Sequence, residues 1–381
     1  MHFEFGSVAA LLGHIQEYGN LEAVVCQGLD LQDQSEVLLG VSAAGAAFLG
    51  CQFEDRVLSH IVGSGGLIFP RLPGLPYRPY RSTLYTIDEL MQGYRRGDPG
   101  SFQRDALDMT IYQHFTRYRL SDSPPPILEA LAQRLHDHAI DDALEELLDA
   151  HPQIVAIMGG HRMKRGEPAY RDVARMAYSL TGRGYFIATG GGPGAMEAGN
   201  LGAYMARYQP GDLDEAIDML AGEPSYHEDA YLDLGFAVRD LYADGGESLA
   251  IPTWFYGHEP TNQFASHIAK YFANSIREDV LLAIATSGVI YAPGSAGTIQ
   301  EVFMDAAQNH YGSWKVVSPM VFYDTAFWTQ TSPVYPLLQH LAATKQYREL
   351  LSIHDDPEAI VQFIESHRPI PYDPSFGAAG A

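Results

Sequence analysis

The chain has 381 residues, of which 46% are hydrophobic, and 47 acidic against 24 basic side chains give a formal net charge of -23. This length predicts two or three globular domains, and the negative charge disfavours unspecific binding to nucleic acid or to anionic membranes. The two cysteines fit neither a metal site nor a disulfide framework, and the sequence contains neither a basic leader nor about 18 consecutive apolar residues. We therefore expect a cytoplasmic protein without a membrane span.

The first 120 residues predict an N-terminal accessory domain of mixed or β-rich character. Between Leu21 and Pro70, short apolar runs are broken by Gly, Ser, Gln and Asp, which favours short strands over long helices. Thr86 to Leu120 is expected to be helical, and the stiff segment SDSPPP, from Ser121 to Pro126, predicts a domain boundary. We assign residues 121–152 to this linker and an acidic helix.

Residues 153–372 alternate between apolar strand-like runs and amphipathic helix-like runs. Such alternation predicts a Rossmann-like, doubly wound parallel sheet with helices on both faces, because parallel neighbours need crossover connections. The expected strands include QIVAIMGG, GYFIATGGG, SLAIPTWFY, VIYAP, VVSPMVFYD and LLSIHD. We further expect an acidic helical insertion over residues 212–242, one long helix over 260–288 and a flexible tail over 373–381.

Three of these strands end in glycine-rich turns, which are IMGGHR, ATGGGPG and APGSAGT. Glycine lets the backbone approach a ligand, and the following helix presents unpaired amides and the positive end of its dipole. Two such turns facing each other form a phosphate site without a basic surface, so we expect a phosphate between the second and third turns. Any one turn alone is equally well explained as a tight connection, and none has the GxGxxG spacing of a dinucleotide site.

The three turns resemble those of the LOG family, whose mark is a PGGxGTxxE loop. GGHR and TGGGPGAMEAGNLGA are closer still to bacterial purine/pyrimidine 5'-monophosphate nucleosidases of PpnN type, and the resemblance covers roughly Ile154 to Asp324. It implies hydrolysis of the N-glycosidic bond of nucleoside 5'-monophosphates to free base and ribose 5-phosphate, by a homo-oligomer. Ser295 departs from the family pattern, because it stands at the second glycine of PGG, and we expect its hydroxymethyl group to narrow the phosphate pocket.

The resemblance places a catalytic arginine before the PGGxGT strand and a catalytic glutamate at the end of the motif. These positions are Arg277 and Glu301. The candidate residues for binding substrate or phosphate are Gly159, Gly160, His161, Arg162, Gly190, Gly191, Gly192, Gly194, Glu197, Asn200, Gly294, Ser295, Ala296, Gly297 and Thr298.

A carboxylate at Glu301 suits this chemistry, since it can stabilise a cationic sugar or activate water. An arginine at 277 suits it as well, because its planar fork binds oxyanions. Both positions have other interpretations: TIQE is also a capping box in which Glu301 caps its own helix, and Arg277 is also typical of a solvated helix surface.

Other polar residues of the chain give weaker signals. His161 is also explained as a structural loop histidine, and Asn200 as a residue of the helix surface. The histidines and cysteines do not form a metal-binding pattern, so we expect neither a metal nor a cofactor.

Two further functions remain open at this point. One is a non-catalytic nucleotide sensor on the same fold, with the N-terminal region as an effector domain. The other is an assembly protein in which the glycine turns only connect strands. The pairing of Arg277 with Glu301 favours the enzyme.

Overall fold

The computed structural model describes residues 3–119, 124–228 and 230–376. Leu120, the last residue of the predicted helical stretch, and Ser121 to Ser123 of the predicted boundary segment lie outside the described residues, as do positions 377–381 of the predicted tail. The chain divides into two compact units: Met1–Leu84 with Thr116–Glu146, and Tyr85–Phe115 with Leu147–Ala381. The domain boundaries expected near residues 120 and 153 stay a prediction.

The first unit contains a small parallel sheet and short helices. Its elements up to residue 84 are β1 (Phe3–Phe5), α1 (Val8–Tyr18), β2 (Val24–Gln27), α2 (Ser35–Leu39), β3 (Ala47–Leu49), α3 (Asp55–Gly63) and β4 (Leu67–Phe69). The strands lie in chain order, β1-β2-β3-β4, and all three pairings are parallel. Phe3 pairs with Val24, and Ala47 pairs with Leu67, so successive strands recur about every 20 residues.

Local sequence explains how the first helix of this unit begins and ends. Ser7 has extended backbone and its hydroxyl accepts a hydrogen bond from the Ala10 amide, while Gly19 ends the helix with φ +69°. Leu11 and Ile15 point inward and join Phe48 and Val57 in a continuous apolar core. The prediction of a mixed, strand-containing N-terminal region is confirmed.

Four further helices precede the strands of the large sheet, and the last of them is the longest: α4 (Ile87–Leu90), α5 (Ser101–Asp105), α6 (Leu107–Arg119) and α7 (Ile127–Ala150). The remaining elements are β5 (Ile154–Met158), α8 (Pro168–Gly182), β6 (Phe186–Thr189), α9 (Ala195–Met205), α10 (Pro210–Leu220), α11 (Tyr231–Leu241), β7 (Leu249–Ala250), β8 (His267–Ile268), α12 (Asn274–Ile284), β9 (Gly288–Tyr291), α13 (Ala296–Tyr311), β10 (Val316–Val317), β11 (Met320–Tyr323), α14 (Val334–Ala342), β12 (Leu351–His354), α15 (Pro357–Ser366) and β13 (Ile370–Pro371). The predicted acidic helical insertion over residues 212–242 contains two helices, α10 and α11, with turns after α10.

The second unit is a doubly wound α/β structure. Its seven-stranded sheet has the order β12-β11-β9-β5-β6-β7-β8, and every pairing is parallel. From β5 to β8 each new strand is added on one side of the sheet, and β9 then pairs with the other side of β5. The strand order therefore reverses between β5 and β9. Parallel α/β sheets bind ligands at such a reversal, outside the carboxyl ends of the strands.

Helices cover both faces of the sheet, which confirms the predicted fold class. On one face α8 packs against α9 and α15, and on the other face α12 packs against α13, which contacts α14. The central strands β5, β6, β9 and β11 are buried along their whole length, as is typical of strands covered on both faces. No helix within the described residues is long and apolar enough to cross a membrane.

Three predicted elements of the sheet region are wrong in whole or in part. Of the run SLAIPTWFY only Leu249–Ala250 forms a strand, and Trp254–Tyr256 form a short 3-10 turn. Residues 260–288 do not form one helix: α12 begins only at Asn274, and the preceding stretch is irregular and contains β8. This stretch is buried almost continuously, so its apolar content reflects burial on all sides rather than one helical face. The run VVSPMVFYD also divides, because β10 pairs antiparallel with β13 while β11 joins the large sheet.

A buried ion pair fixes the irregular stretch before α12. The Lys270 ammonium donates to both carboxylate oxygens of Asp108 at 2.7 and 2.8 Å, and also to the Thr261 hydroxyl at 2.8 Å. The Trp254 indole donates to the same carboxylate at 2.8 Å. Burial lowers the pKa of Lys270, whereas the Asp108 charge opposes that shift. This ion pair and its hydrogen bonds thus fix the positions of residues between 254 and 270, although these residues do not form a regular helix.

Candidate functional site

The three glycine-rich turns come together at Gly160, next to the reversal between β5 and β9. The Gly160 amide donates to the Pro293 carbonyl of the third turn at 2.9 Å, and its carbonyl accepts from the Ala195 amide at 3.2 Å. A Cβ on Gly159 would lie 2.6 Å from the Ala195 Cβ, so a larger residue there would separate β5 from α9. Glycine at these positions therefore lets three strand ends meet.

Buried amides and hydroxyls shape the second turn. The Thr189 hydroxyl accepts from the Gly191 amide at 3.0 Å and donates to Asn200 Oδ1 at 2.6 Å. Asn262 Nδ2 donates to the same Asn200 oxygen at 2.9 Å, and the Asn262 amide donates to the Gly191 carbonyl at 2.9 Å. Gly191 has φ +77°, which favours glycine. Asn200 thus supports the turn from behind, and the Gly191 amide already has a partner.

The third turn leads directly into α13. Ser295 is the N-cap residue, with extended backbone and no side-chain capping bond, and Ala296, Gly297 and Thr298 form the first turn of the helix. The amides of a first helical turn have no acceptor within the helix and lie at its positive end. A Cβ at Gly294 would collide with the Thr298 hydroxyl, which explains why this turn has glycine there.

Glu301 is not a capping residue. A capping box would require Thr298 at the N-cap position, but the helix begins two residues earlier, at Ala296. Instead, Glu301 Oε1 accepts from Arg277 Nη1 at 3.2 Å, and both side chains are only 12% exposed. The structure therefore pairs the two residues that the resemblance singles out.

Backbone contacts fix the guanidinium of Arg277. Its Nε donates to the Ile251 carbonyl at 2.8 Å, just beyond β7, which turns Nη1 towards Glu301. Nη2 occupies the space next to Gly190, where a Cβ would collide with it and would also lie 2.7 Å from Met196 Sδ. The second turn therefore has glycine at position 190 because the guanidinium lies against its backbone.

Burial raises the pKa of the Glu301 carboxyl above its ordinary value. The Arg277 charge lowers this pKa and so partly offsets burial, while the nearby Glu278 carboxylate raises it. Glu278 itself accepts from Asn274 Nδ2 at 2.7 Å and from Gln300 Nε2 at 2.8 Å. Glu301 is therefore a carboxylate whose proton affinity is higher than that of an exposed glutamate, as a general base requires.

The pair lies in a cleft of about 250 Å³, near the lower end of the range for small-molecule sites. The predicted residues that line it are Gly159, Gly160, His161, Gly190, Arg277, Ser295, Gly297, Thr298 and Glu301. The other predicted residues do not line it, namely Arg162, Gly191, Gly192, Gly194, Glu197, Asn200, Gly294 and Ala296. Most of these others shape the turns rather than face the cleft.

Glu197 belongs to a buried cluster behind the second turn. Its carboxylate accepts from Arg165 Nε at 2.8 Å and from the Tyr170 hydroxyl at 2.9 Å. The Arg165 guanidinium also donates to the Tyr231 carbonyl at 2.8 Å and stacks on the Tyr231 ring. This cluster fastens the loop after β5, which carries His161, to the start of α9. Arg162, on the same loop, is exposed.

Sequence analysis does not single out five of the residues that line the cleft: Met158, Met196, Tyr256, Glu259 and Glu278. Tyr256 and Glu259 lie on the irregular segment between β7 and β8. Glu259 Oε1 lies 3.5 Å from His161 Nδ1, so the two residues form an ion pair when the imidazole is protonated. The polar and aromatic run WFYGHEP directly after a strand end was the available signal for them.

No family model matches the chain, and no curated protein matches it. Among solved structures, it is similar to a molybdenum cofactor binding protein from Rippkaea orientalis, with 14% identity over 56% of this chain and 96% of that chain, at a TM-score of 0.37. The molybdenum cofactor carrier protein from Chlamydomonas reinhardtii gives 14% identity, the same coverage and a TM-score of 0.35. A protein solved as TM1055 gives 19% identity over 56% and 99% of the two chains, at a TM-score of 0.37. These likenesses are too distant to carry an argument about function.

Proposed function

We propose that this protein hydrolyses the N-glycosidic bond of nucleoside 5'-monophosphates and releases free base and ribose 5-phosphate. The observation that carries the proposal is the buried pair of Arg277 and Glu301 in the cleft where the strand order reverses. Glu301 is a buried carboxylate that does not cap its helix, and a catalytic role explains why a charged residue occupies this buried position.

Glu301 acts on the water that attacks the sugar. Cleavage of an N-glycosidic bond passes through a sugar cation, which a nearby carboxylate stabilises while it accepts a proton from the attacking water. Burial raises the pKa of Glu301, so its ionised form is a stronger base than that of an exposed glutamate. Arg277 keeps the carboxylate ionised by opposing this shift.

The phosphate of the substrate binds at the start of α13. Gly297 and Thr298 line the cleft, and their amides lie in the first turn of that helix. The second turn is less suited to an anion, because the Gly191 amide is already bonded and Glu259 Oε2 lies 3.4 Å from the Cβ position of Gly192. A phosphate on the α13 side keeps its distance from the Glu259 carboxylate.

The test is direct incubation of the purified chain with AMP, GMP, CMP and UMP, with chromatography for free base and an enzymatic assay for ribose 5-phosphate. We expect equal amounts of base and ribose 5-phosphate from at least one nucleotide. If no base appears but a nucleotide binds in the cleft, the non-catalytic sensor becomes the better explanation. A cytoplasmic location and a homo-oligomeric state stay predictions.

A further inference from the structure

A series of contacts leads across the cleft from Glu301 to a second ionisable pair. Arg277 connects Glu301 to Gly190, and the Met196 side chain extends from Gly190 to Gly192. Glu259 lies beside Gly192, with its Oε2 at 3.4 Å from the Cβ position of that glycine. The cleft thus has the Arg277–Glu301 pair at one end of this series and Glu259, with His161, at the other.

The Glu259 end suits a nucleobase better than a phosphate. Met196 and the half-exposed Tyr256 supply apolar and aromatic surface there, and Glu259 repels an anion. If the phosphate lies at the start of α13, the base of the same nucleotide points towards Met196, Tyr256 and His161.

We propose that His161, paired with Glu259, is the general acid that protonates the departing base; this inference rests on the proposed function. The Glu259 carboxylate lies 3.5 Å from His161 Nδ1, so this contact involves one ring nitrogen and leaves the other, Nε2, for proton transfer to the base. The His161 side chain is 29% exposed and that of Glu259 is 17% exposed, so the pair is sheltered yet open to the cleft.

The reaction balances with these two acid–base groups. Water attacks the anomeric carbon and gives a proton to Glu301, while the bond from that carbon to the base nitrogen breaks. The electron pair of this bond stays on the base, and His161 transfers a proton to a ring nitrogen so that the base leaves neutral. Solvent returns a proton to His161 and removes one from Glu301, so the net reaction consumes one water.

A second histidine serves as a matched control. His258 Nε2 lies 3.9 Å from the same Glu259 oxygen, but its side chain is 61% exposed and it does not line the cleft. His258→Gln therefore changes an imidazole near the same carboxylate without removing the proposed acid.

The experiment compares wild type, His161→Gln and His258→Gln with two substrates, AMP and nicotinamide mononucleotide. Nicotinamide leaves as a neutral molecule and needs no proton, whereas adenine does. We expect His161→Gln to lose about 10²- to 10⁴-fold in kcat/KM for AMP, the range of general acid catalysis, and far less for nicotinamide mononucleotide. His258→Gln should stay within about twofold of wild type for both, because His258 does not line the cleft.

Binding of ribose 5-phosphate by calorimetry shows that each variant retains the folded cleft. Equal losses for both substrates in His161→Gln, or no loss for AMP, overturn the inference but leave the proposed function standing. A larger loss in His258→Gln than in His161→Gln overturns it as well. If wild type releases no base from AMP, GMP, CMP, UMP or nicotinamide mononucleotide, the proposed function fails and the inference fails with it.

Discussion

The chain builds two parallel sheets that differ in how they are wound. In the first unit the strands follow chain order, β1-β2-β3-β4, so every crossover turns in the same direction. In the second unit the order reverses between β5 and β9, and the connections on either side of the reversal go to opposite faces. Both sheets end strands in glycine, but in the second sheet the reversal brings three such ends together. The difference between the two sheets therefore lies in their strand order rather than in their glycine content.

The largest expected effect comes from Glu301→Gln, which keeps the shape of the side chain and removes its charge. We expect kcat for base release to fall about 10²- to 10³-fold, with the thermal unfolding midpoint almost unchanged, since the amide oxygen of glutamine can still accept a hydrogen bond from Arg277. Glu349→Gln, on the surface, is the matched control. A fully active Glu301→Gln protein would falsify the proposed mechanism.

Arg277→Gln is expected to cost roughly 10²-fold in kcat/KM, because the guanidinium acts both on the substrate and on Glu301. It should also move the acidic limb of the pH–rate profile to higher pH. The reason is that the Arg277 charge lowers the pKa of Glu301, so its removal leaves burial unopposed, and the base must be ionised to act. A pH–rate profile with the limb unmoved or shifted to lower pH contradicts the pairing.

Asp305→Asn tests a buried carboxyl one turn beyond Glu301. Burial raises the pKa of Asp305 to about 7, from an ordinary 3.8, although the Tyr291 hydroxyl donates to it at 2.8 Å. Between these pH values the folded state holds a proton that the unfolded state has released, so stability falls as pH rises through this window. The variant should lack this fall and gain at least roughly 1.4 kcal/mol over wild type at pH 8.

Urea unfolding at pH 5 and pH 8 measures this effect. Glu4→Gln provides the counterpart in the first unit, because burial and the neighbouring Asp142 raise the pKa of Glu4 to about 7. The same direction of change is expected there, without any effect on base release. An Asp305→Asn protein whose stability still falls between pH 5 and pH 8, by as much as wild type, shows that Asp305 is not the group responsible.

The smallest effects come from adding one methyl group in each unit. Gly190→Ala forces Arg277 Nη2 from its place, and we expect roughly a tenfold loss of activity from the misplaced guanidinium. Gly13→Ala, in α1, meets no atom within 4 Å and should stabilise the protein by about 0.5–1 kcal/mol. Assays of base release and thermal unfolding on both variants decide between these outcomes. Equal activity in the two would mean that position 190 tolerates a side chain.

The sequence predicts the sheet region well, because its strands are continuous apolar runs that end in glycine. It predicts the irregular segment 260–273 poorly. This segment is rich in apolar residues because it is buried on all sides, and the same composition also fits a buried helix. Tyr256, which the sequence places at the end of a strand, and Glu259 lie just before this segment, and their place in the cleft follows from the irregular course of the chain after β7. The capping box that would begin at Thr298 is suggested by four consecutive residues alone. The actual helix begins at Ala296, and this start depends on the contact between the third turn and Gly160, which is distant in sequence.

The buried pair of Asp108 and Lys270 also has a consequence for synthesis. The two residues are 162 positions apart in the chain. A ribosome that adds about 5–20 residues per second takes roughly 8–30 s to reach Lys270 after it has made Asp108. During that interval the carboxylate lacks the ammonium that neutralises it, and a lone charge does not enter an apolar interior. The stretch around Asp108 therefore cannot reach its buried position, and stays accessible to proteases and chaperones, until more than two thirds of the polypeptide has been translated.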